Sequence, residues 1–186
     1  MERLALKAFA TSGYDGSSLR SIAAEAGVDP ALISRRYGSK MGLWRAVVDG
    51  LAENLDMVHA EIQTGLKPGE PLSARVIAGM RRFITLNWAV PELALIFIDE
   101  IATPGERRDY IVTRIWRPYF HAIRPILTEA SALTGGEGKN ANFTALSVLG
   151  IIVMPQLLAS LLEADIGISY EEAPEAVLDV LLRLLT

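Results

Sequence analysis

Between Leu19 and Tyr37 the chain ends one helix and starts another within a few residues, and that spacing constrains its fold more than any other feature. Leu19, Ile22, Ala23 and Ala26 recur at helical spacing and stop at Gly27, a residue suited to the left-handed conformation that closes a helix. Asp29 then offers a side-chain cap, and Pro30 fits a first turn where a missing N–H costs nothing. The second run ends near Tyr37, before Gly38. Two short helices joined across Ala26-Gly27-Val28-Asp29 make a helix-turn-helix, with Val28 plugging the angle and Ala23 and Ala26 allowing close approach.

The remaining periodicity is also helical, and no β-branched run alternates cleanly around an Asn-Gly or Asp-Gly turn. The fold class expected is all-α. Leu4, Ala5, Ala8 and Phe9 mark a first helix that stops at Gly13, and Ser17 or Ser18 caps the second. Ser39 caps a long fourth helix running from Lys40 toward Gly65, and residues 67–71, KPGEP, form the strongest linker candidate. Helices are expected over Leu72–Ala89, Pro91–Ala102 and Pro104 to about Leu133, with Pro118 and Pro125 kinking or breaking the last near Arg117 and Arg124. A loop at Thr134–Asn140 precedes two final helices, Ala141 to about Ala164 and Glu171–Leu185, the second announced by a capping box at Ser169 and Glu172. The expected organisation is a three-helix head over residues 1–45 and a helical body over residues 46–186.

Charge divides the same way. Residues 1–50 hold seven Lys/Arg against five Asp/Glu, and the remainder holds eleven against seventeen, a head of +2 on a body of −6. With no cysteine there is neither a disulfide framework nor a thiolate metal site, so a reducing cytoplasm is the expected compartment. The opening MERLALKAFA has helical periodicity in place of a secretory signal's basic and apolar regions. No H-E-x-x-H, P-loop or G-x-S-x-G occurs, so an enzyme has no constellation to rest on and no cofactor is implied. His59 has no metal-ligand partner at helical spacing, and Asp99 with Glu100 reads as a solvated or salt-bridged pair.

At 100° per residue, setting Ile33 toward the core brings Tyr37 with it and turns Ala31 and Arg35 outward, with Leu32 and Arg36 on one flank and Ser34 on the other. A small residue beside an arginine suits close approach and bidentate reading of guanine in a major groove, and Leu32 suits a thymine methyl. Ser17, Ser18, Ser39, Lys40 and the N–H groups at the helix starts suit phosphate. The candidate DNA-contacting set is therefore Ser17, Ser18, Pro30, Ala31, Leu32, Ser34, Arg35, Arg36, Tyr37 and Lys40. An Arg-Arg dipeptide by itself is most often a solvated face; its setting changes that.

From Phe9 the chain reads FATSGYDGSSLRSIAAEAGVDPALISRRYGSKMGLWRAVVDGL. Phe9, Gly13, Tyr14, Ile22, Ala23, Ala26, Gly27, Val28, Tyr37, Ser39 and Lys40 fit a pattern that resembles the head of the TetR family of transcriptional regulators. The resemblance covers about the first quarter of the chain and departs at Ser34, where the family commonly carries Tyr. It implies a homodimer that binds double-stranded DNA at a palindromic operator, usually a repressor released by a small apolar or amphipathic ligand.

The body fits such a role. Aromatic residues crowd helices four to seven, and the Pro breaks make gaps in packing there more common than in straight helices. Trp88, Phe97, Trp116 and Phe120 are candidate walls of an effector site, and Asn87, Arg114 and His121 candidate polar anchors. The last two helices carry more apolar surface than one subunit covers, so Ser147, Gly150, Met154, Leu178, Leu181 and Leu182 are candidates for a four-helix interface between two copies. Residues 140–162 are uncharged, but their Asn, Ser, Thr, Gln and Pro content fits a buried helix better than a membrane span. Two other classes compete: a helical ligand-binding or interaction protein that never touches DNA, and a membrane-associated protein.

Overall fold

The computed structural model describes residues 1–65, 69, 71–121, 124, 125, 128 and 141–184. All regular structure among them is helical, with no strand. In chain order come α1 (Glu2–Gly16), α2 (Leu19–Ala26), α3 (Pro30–Tyr37), α4 (Lys40–Gly65), α5 (Leu72–Ala89), α6 (Pro91–Ile101), α7 (Glu106–Ile111), α8 (Ala141–Leu157), α9 (Ala159–Leu161) and α10 (Ala173–Leu184). The expected stop at Gly13 is present as a break inside α1, where φ is 68° and ψ 171°.

Proline chemistry shapes the later helices. Ahead of Pro118 the chain does not break; it widens into a π turn over Val112–Trp116, and the N–H of Arg117 reaches back to the carbonyl of Val112. One extra residue in the turn accommodates a proline that has no N–H to give. Pro155 lies inside α8, which ends two residues later. A π turn over Leu162–Ile166 follows the short α9. The capping box is formed: the Glu172 N–H donates to Ser169 Oγ at 3.2 Å, and the Ser169 N–H to Glu172 Oε2 at 3.3 Å. Of the expected linker only Gly69 and Pro71 are described, and the expected loop Thr134–Asn140 and the region around Pro125 lie largely or wholly outside the described residues.

The chain divides into two compact units. The first joins Met1–Leu55 to Glu92–Arg117, and so brings α6 and α7 together with the helix-turn-helix. Its core is Ala5, Phe9, Ile22, Ala23, Ile33, Leu43, Trp44, Val47 and Val48, continued by Ile96, Ile111 and Ile115. Trp44 is its hub, edge-on to Tyr14 at 6.3 Å and tilted against Tyr110 at 5.9 Å between centroids. Each fully buried side chain of this size contributes about 1.5–3 kcal/mol.

The second unit joins Asp56–Pro91 to Pro118–Thr186. In it α5, α8 and α10 pack on one another. Phe83, Ile84, Trp88, Leu149, Ile152, Val177, Leu178 and Leu181 fill the space between them. No helix among the described residues is long and apolar enough to cross a membrane.

Candidate nucleic-acid interface

Local hydrogen bonds set the angle between α2 and α3. Ser18 caps α2 by accepting the Ser21 N–H at 3.0 Å, while the Ser18 N–H donates to Ser21 Oγ at 3.2 Å. At the other end Gly27 adopts φ 65°, its N–H reaches the carbonyl of Ala24 at 3.2 Å and the Val28 N–H that of Ala23 at 3.0 Å. This double closure uses the orphan carbonyls of the helix end and needs a residue at ease with positive φ. Asp29 Oδ1 then accepts the Ala31 N–H at 2.7 Å, with Pro30 in the first turn of α3.

On α3 the helical wheel is realised residue by residue. Ile33 is buried, Tyr37 half-buried, and Pro30, Ala31, Leu32, Ser34, Arg35 and Arg36 are exposed. Leu32, 53 % exposed, is an apolar side chain that the fold itself leaves uncovered. Tyr37 donates its hydroxyl to Glu2 Oε1 at 2.9 Å, and burial, then that hydrogen bond, pushes the phenol above its ordinary value. Arg36 lies 3.8 Å from the same carboxylate oxygen and 5.2 Å from the Tyr37 ring centroid, so it is partly engaged within the head.

Around α3, Ser18 is exposed and Lys40 half-buried. Ser17 is a correction. Expected at phosphate, it is 6 % exposed, and its hydroxyl lies 3.1 Å from the carbonyl of Ala8 and 2.8 Å from that of Gly13, closing the end of α1 from inside. Sequence reasoning gave no place to Gly42 or Arg107 and left that of Glu100 open. Gly42 abuts the end of α3, where an added Cβ would stand 1.9 Å from the carbonyl oxygen of Tyr37. Glu100, expected to be solvated or salt-bridged, is buried and ion-paired, with Arg107 donating its Nε–H to it. Arg107 also lies 4.2 Å from the centroid of the Tyr14 ring; Tyr14 lay in a visible pattern, but nothing in the spacing of Glu100 and Arg107 ties them to it.

The effector-site candidates fall in both units. In the first, Phe97 stacks on Trp116 at 5.6 Å, and Arg114 donates to Asp49 Oδ1 at 2.6 Å. In the second, Asn87 is buried, with its amide nitrogen 2.8 Å from the carbonyl of Phe83 and 2.8 Å from the Tyr119 hydroxyl. Burial drives the Tyr119 phenol far above its ordinary value. Trp88 is buried, Phe120 half-buried and His121 exposed. Of the residues expected at a dimer interface, Leu178 and Leu181 are buried within the second unit, Leu182 is half-buried, and Ser147, Gly150 and Met154 are exposed.

Comparison with known proteins adds an independent line. Residues 3–47 match the sequence model of a family described as bacterial regulatory proteins, tetR family. The chain is similar in structure to a TetR-family transcriptional regulator from Bordetella parapertussis 12822, with TM-score 0.75, 16 % identity and coverage of 97 % of this chain and 91 % of that one. It is similar to the TetR-family regulator PfmR from Thermus thermophilus, with TM-score 0.69, 20 % identity and coverage of 98 % and 96 %. It is also similar to the transcriptional regulator FadR from Bacillus subtilis in complex with stearoyl-CoA, with TM-score 0.70, 18 % identity and coverage of 97 % and 95 %. At these identities the structural likeness is one of fold. A comparison with curated protein sequences finds no match.

Proposed function

We propose that this chain belongs to the TetR family of bacterial regulators, whose model its residues 3–47 match, and works as a homodimeric transcriptional repressor in the cytoplasm, binding a palindromic operator and leaving it when a small molecule binds. The observation that carries the DNA-binding half is the outward row Ala31, Leu32, Ser34 and Arg35 on α3, set at its angle by the Gly27 closure and the Asp29 cap. A helix presented so reads base edges with Arg35 and Leu32, while Ser18, Lys40 and helix-start N–H groups hold phosphate. In functional terms residues 1–45 are the reading head and residues 46–186 sense and dimerise. The protein acts by binding, not by chemical turnover.

Dimerisation is supported by an uncovered apolar stripe. Phe143, Leu146 and Met154 lie at helical spacing along one side of α8 with Gly150 between them, and Val180 of α10 is exposed as well. A second copy covering this stripe would hold two reading helices about 34 Å apart, one turn of DNA.

An apolar or amphipathic effector is supported by the density of aromatic residues and by two buried polar groups in the second unit. Among the described residues the Trp88 indole N–H and the Gln156 Oε1 have no hydrogen-bond partner, so the second unit offers a bound molecule one donor and one acceptor. The stearoyl-CoA held by the Bacillus subtilis FadR is an amphipathic precedent on the same fold. Selection of random duplex fragments by the purified protein tests the proposal: recovered fragments should share an inverted repeat, and recovery without any shared sequence would contradict it.

A further inference from the structure

Within the first unit, two cations distant in sequence meet at one phenol ring. Tyr14, just after the break in α1, has the Lys40 ammonium 4.3 Å and the Arg107 guanidinium 4.2 Å from its ring centroid. Arg107, in α7, points its Nε–H at both carboxylate oxygens of Glu100, at 2.7 and 2.8 Å. Its Nη2 lies 3.7 Å from Asp15. Glu100, in α6, is 3 % exposed, so this ion pair is anchored in the interior.

We infer that Arg107 is a positioning residue for DNA binding. It fixes the Tyr14 ring, and the ring holds the Lys40 ammonium at the start of α4, beside the reading helix. The inference rests on Lys40 being a phosphate contact. Glu100 and Asp15 offset the charge of Arg107, which lets a second cation sit by the same ring. A lysine carries rotamer freedom that phosphate binding must remove, and the ring removes part of it before DNA arrives. Because Arg107 belongs to α7 and Glu100 to α6, displacement of either helix reaches Lys40 without travelling along α4.

The test is a mutant cycle on a selected duplex fragment at fixed salt. The double variant Glu100→Gln/Arg107→Gln removes both charges together and leaves neither partner buried as an unpaired ion. It should bind roughly two- to tenfold more weakly than the unsubstituted protein. Lys40→Ala should bind more weakly and lower the salt slope by about one. The triple variant should bind no more weakly than Lys40→Ala alone, an outcome that a merely structural role does not produce. Tyr14→Leu, which takes away the ring and keeps the ion pair, should show the same non-additivity with Lys40→Ala and serves if the double variant fails to fold. Full additivity, or binding by the double variant as tight as or tighter than the unsubstituted protein, overturns the role of Arg107. If the unsubstituted protein selects no fragment, the DNA-binding proposal fails first and this one with it.

Discussion

The α-carbon of Gly42 faces the end of α3 so closely that a β-carbon on it would lie 1.9 Å from the carbonyl oxygen of Tyr37. Backbone, not a flexible side chain, stands in the way, so any larger residue must push α3 and α4 apart. Gly42→Ala should cost about 1–3 kcal/mol of stability. Its effect on DNA binding should be larger than its effect on folding, because the displaced element is the helix proposed to read DNA. Thermal unfolding and fragment binding measured on the same preparation check this; a variant as stable and as tight as the unsubstituted protein would show that the joint tolerates movement.

The two faces of the last helices call for opposite outcomes. Met154 and Leu146 are exposed, so Leu146→Asp/Met154→Asp should leave the fold intact, give monomers in sedimentation and abolish operator binding. Leu181 is 1 % exposed, and Leu181→Asp places a carboxylate in the core, a change that costs more than about 4 kcal/mol and should unfold the chain. A well-folded dimer from the first variant would place the interface elsewhere.

Glu100 supplies a pH dependence with a defined sign. Burial, against the pull of Arg107, raises its carboxyl above the ordinary value of 4.5. Below that value folded and unfolded chains both hold the proton and its contribution is complete. As pH rises toward the raised folded value the unfolded chain loses its proton first, so the contribution falls, and it is gone above the folded value. Relative to Glu100→Gln, the unsubstituted protein should therefore lose stability as pH climbs from about 4.5. Melting curves of both proteins from mildly acidic to mildly basic pH check the trend, and a relative gain over that climb would contradict it.

The head was legible because its signals are local. Gly27, Val28, Asp29 and Pro30 act within a few residues of one another, and the 100° step from each residue of α3 to the next is fixed by helix geometry whatever surrounds it. The box at Ser169 and Glu172 was legible for the same reason. Ser17 was misplaced because a serine before a helix suits a cap, a phosphate or an inward hydroxyl equally well, and the choice depends on where α1 ends. Glu100 and Arg107 sit on different helices either side of Pro104, and Arg114 finds Asp49 sixty-five residues away, so no window of sequence ties either pair together. In the last helix, apolar residues on both sides leave open which face turns to its own unit; the fold gives Leu178 and Leu181 to the interior and Val180 to the surface.

The central claim is that α3 reads base edges through Arg35 while Lys40 holds backbone. The direct measurement is the affinity of the unsubstituted protein, Arg35→Ala and Lys40→Ala for a selected fragment and for single-base variants of it, at several salt concentrations. Arg35→Ala should lose about 1–3 kcal/mol on the selected fragment and its preference at one position in each half-site, while Lys40→Ala weakens all fragments alike. Equal losses from both substitutions on every sequence would mean that α3 does not read the DNA.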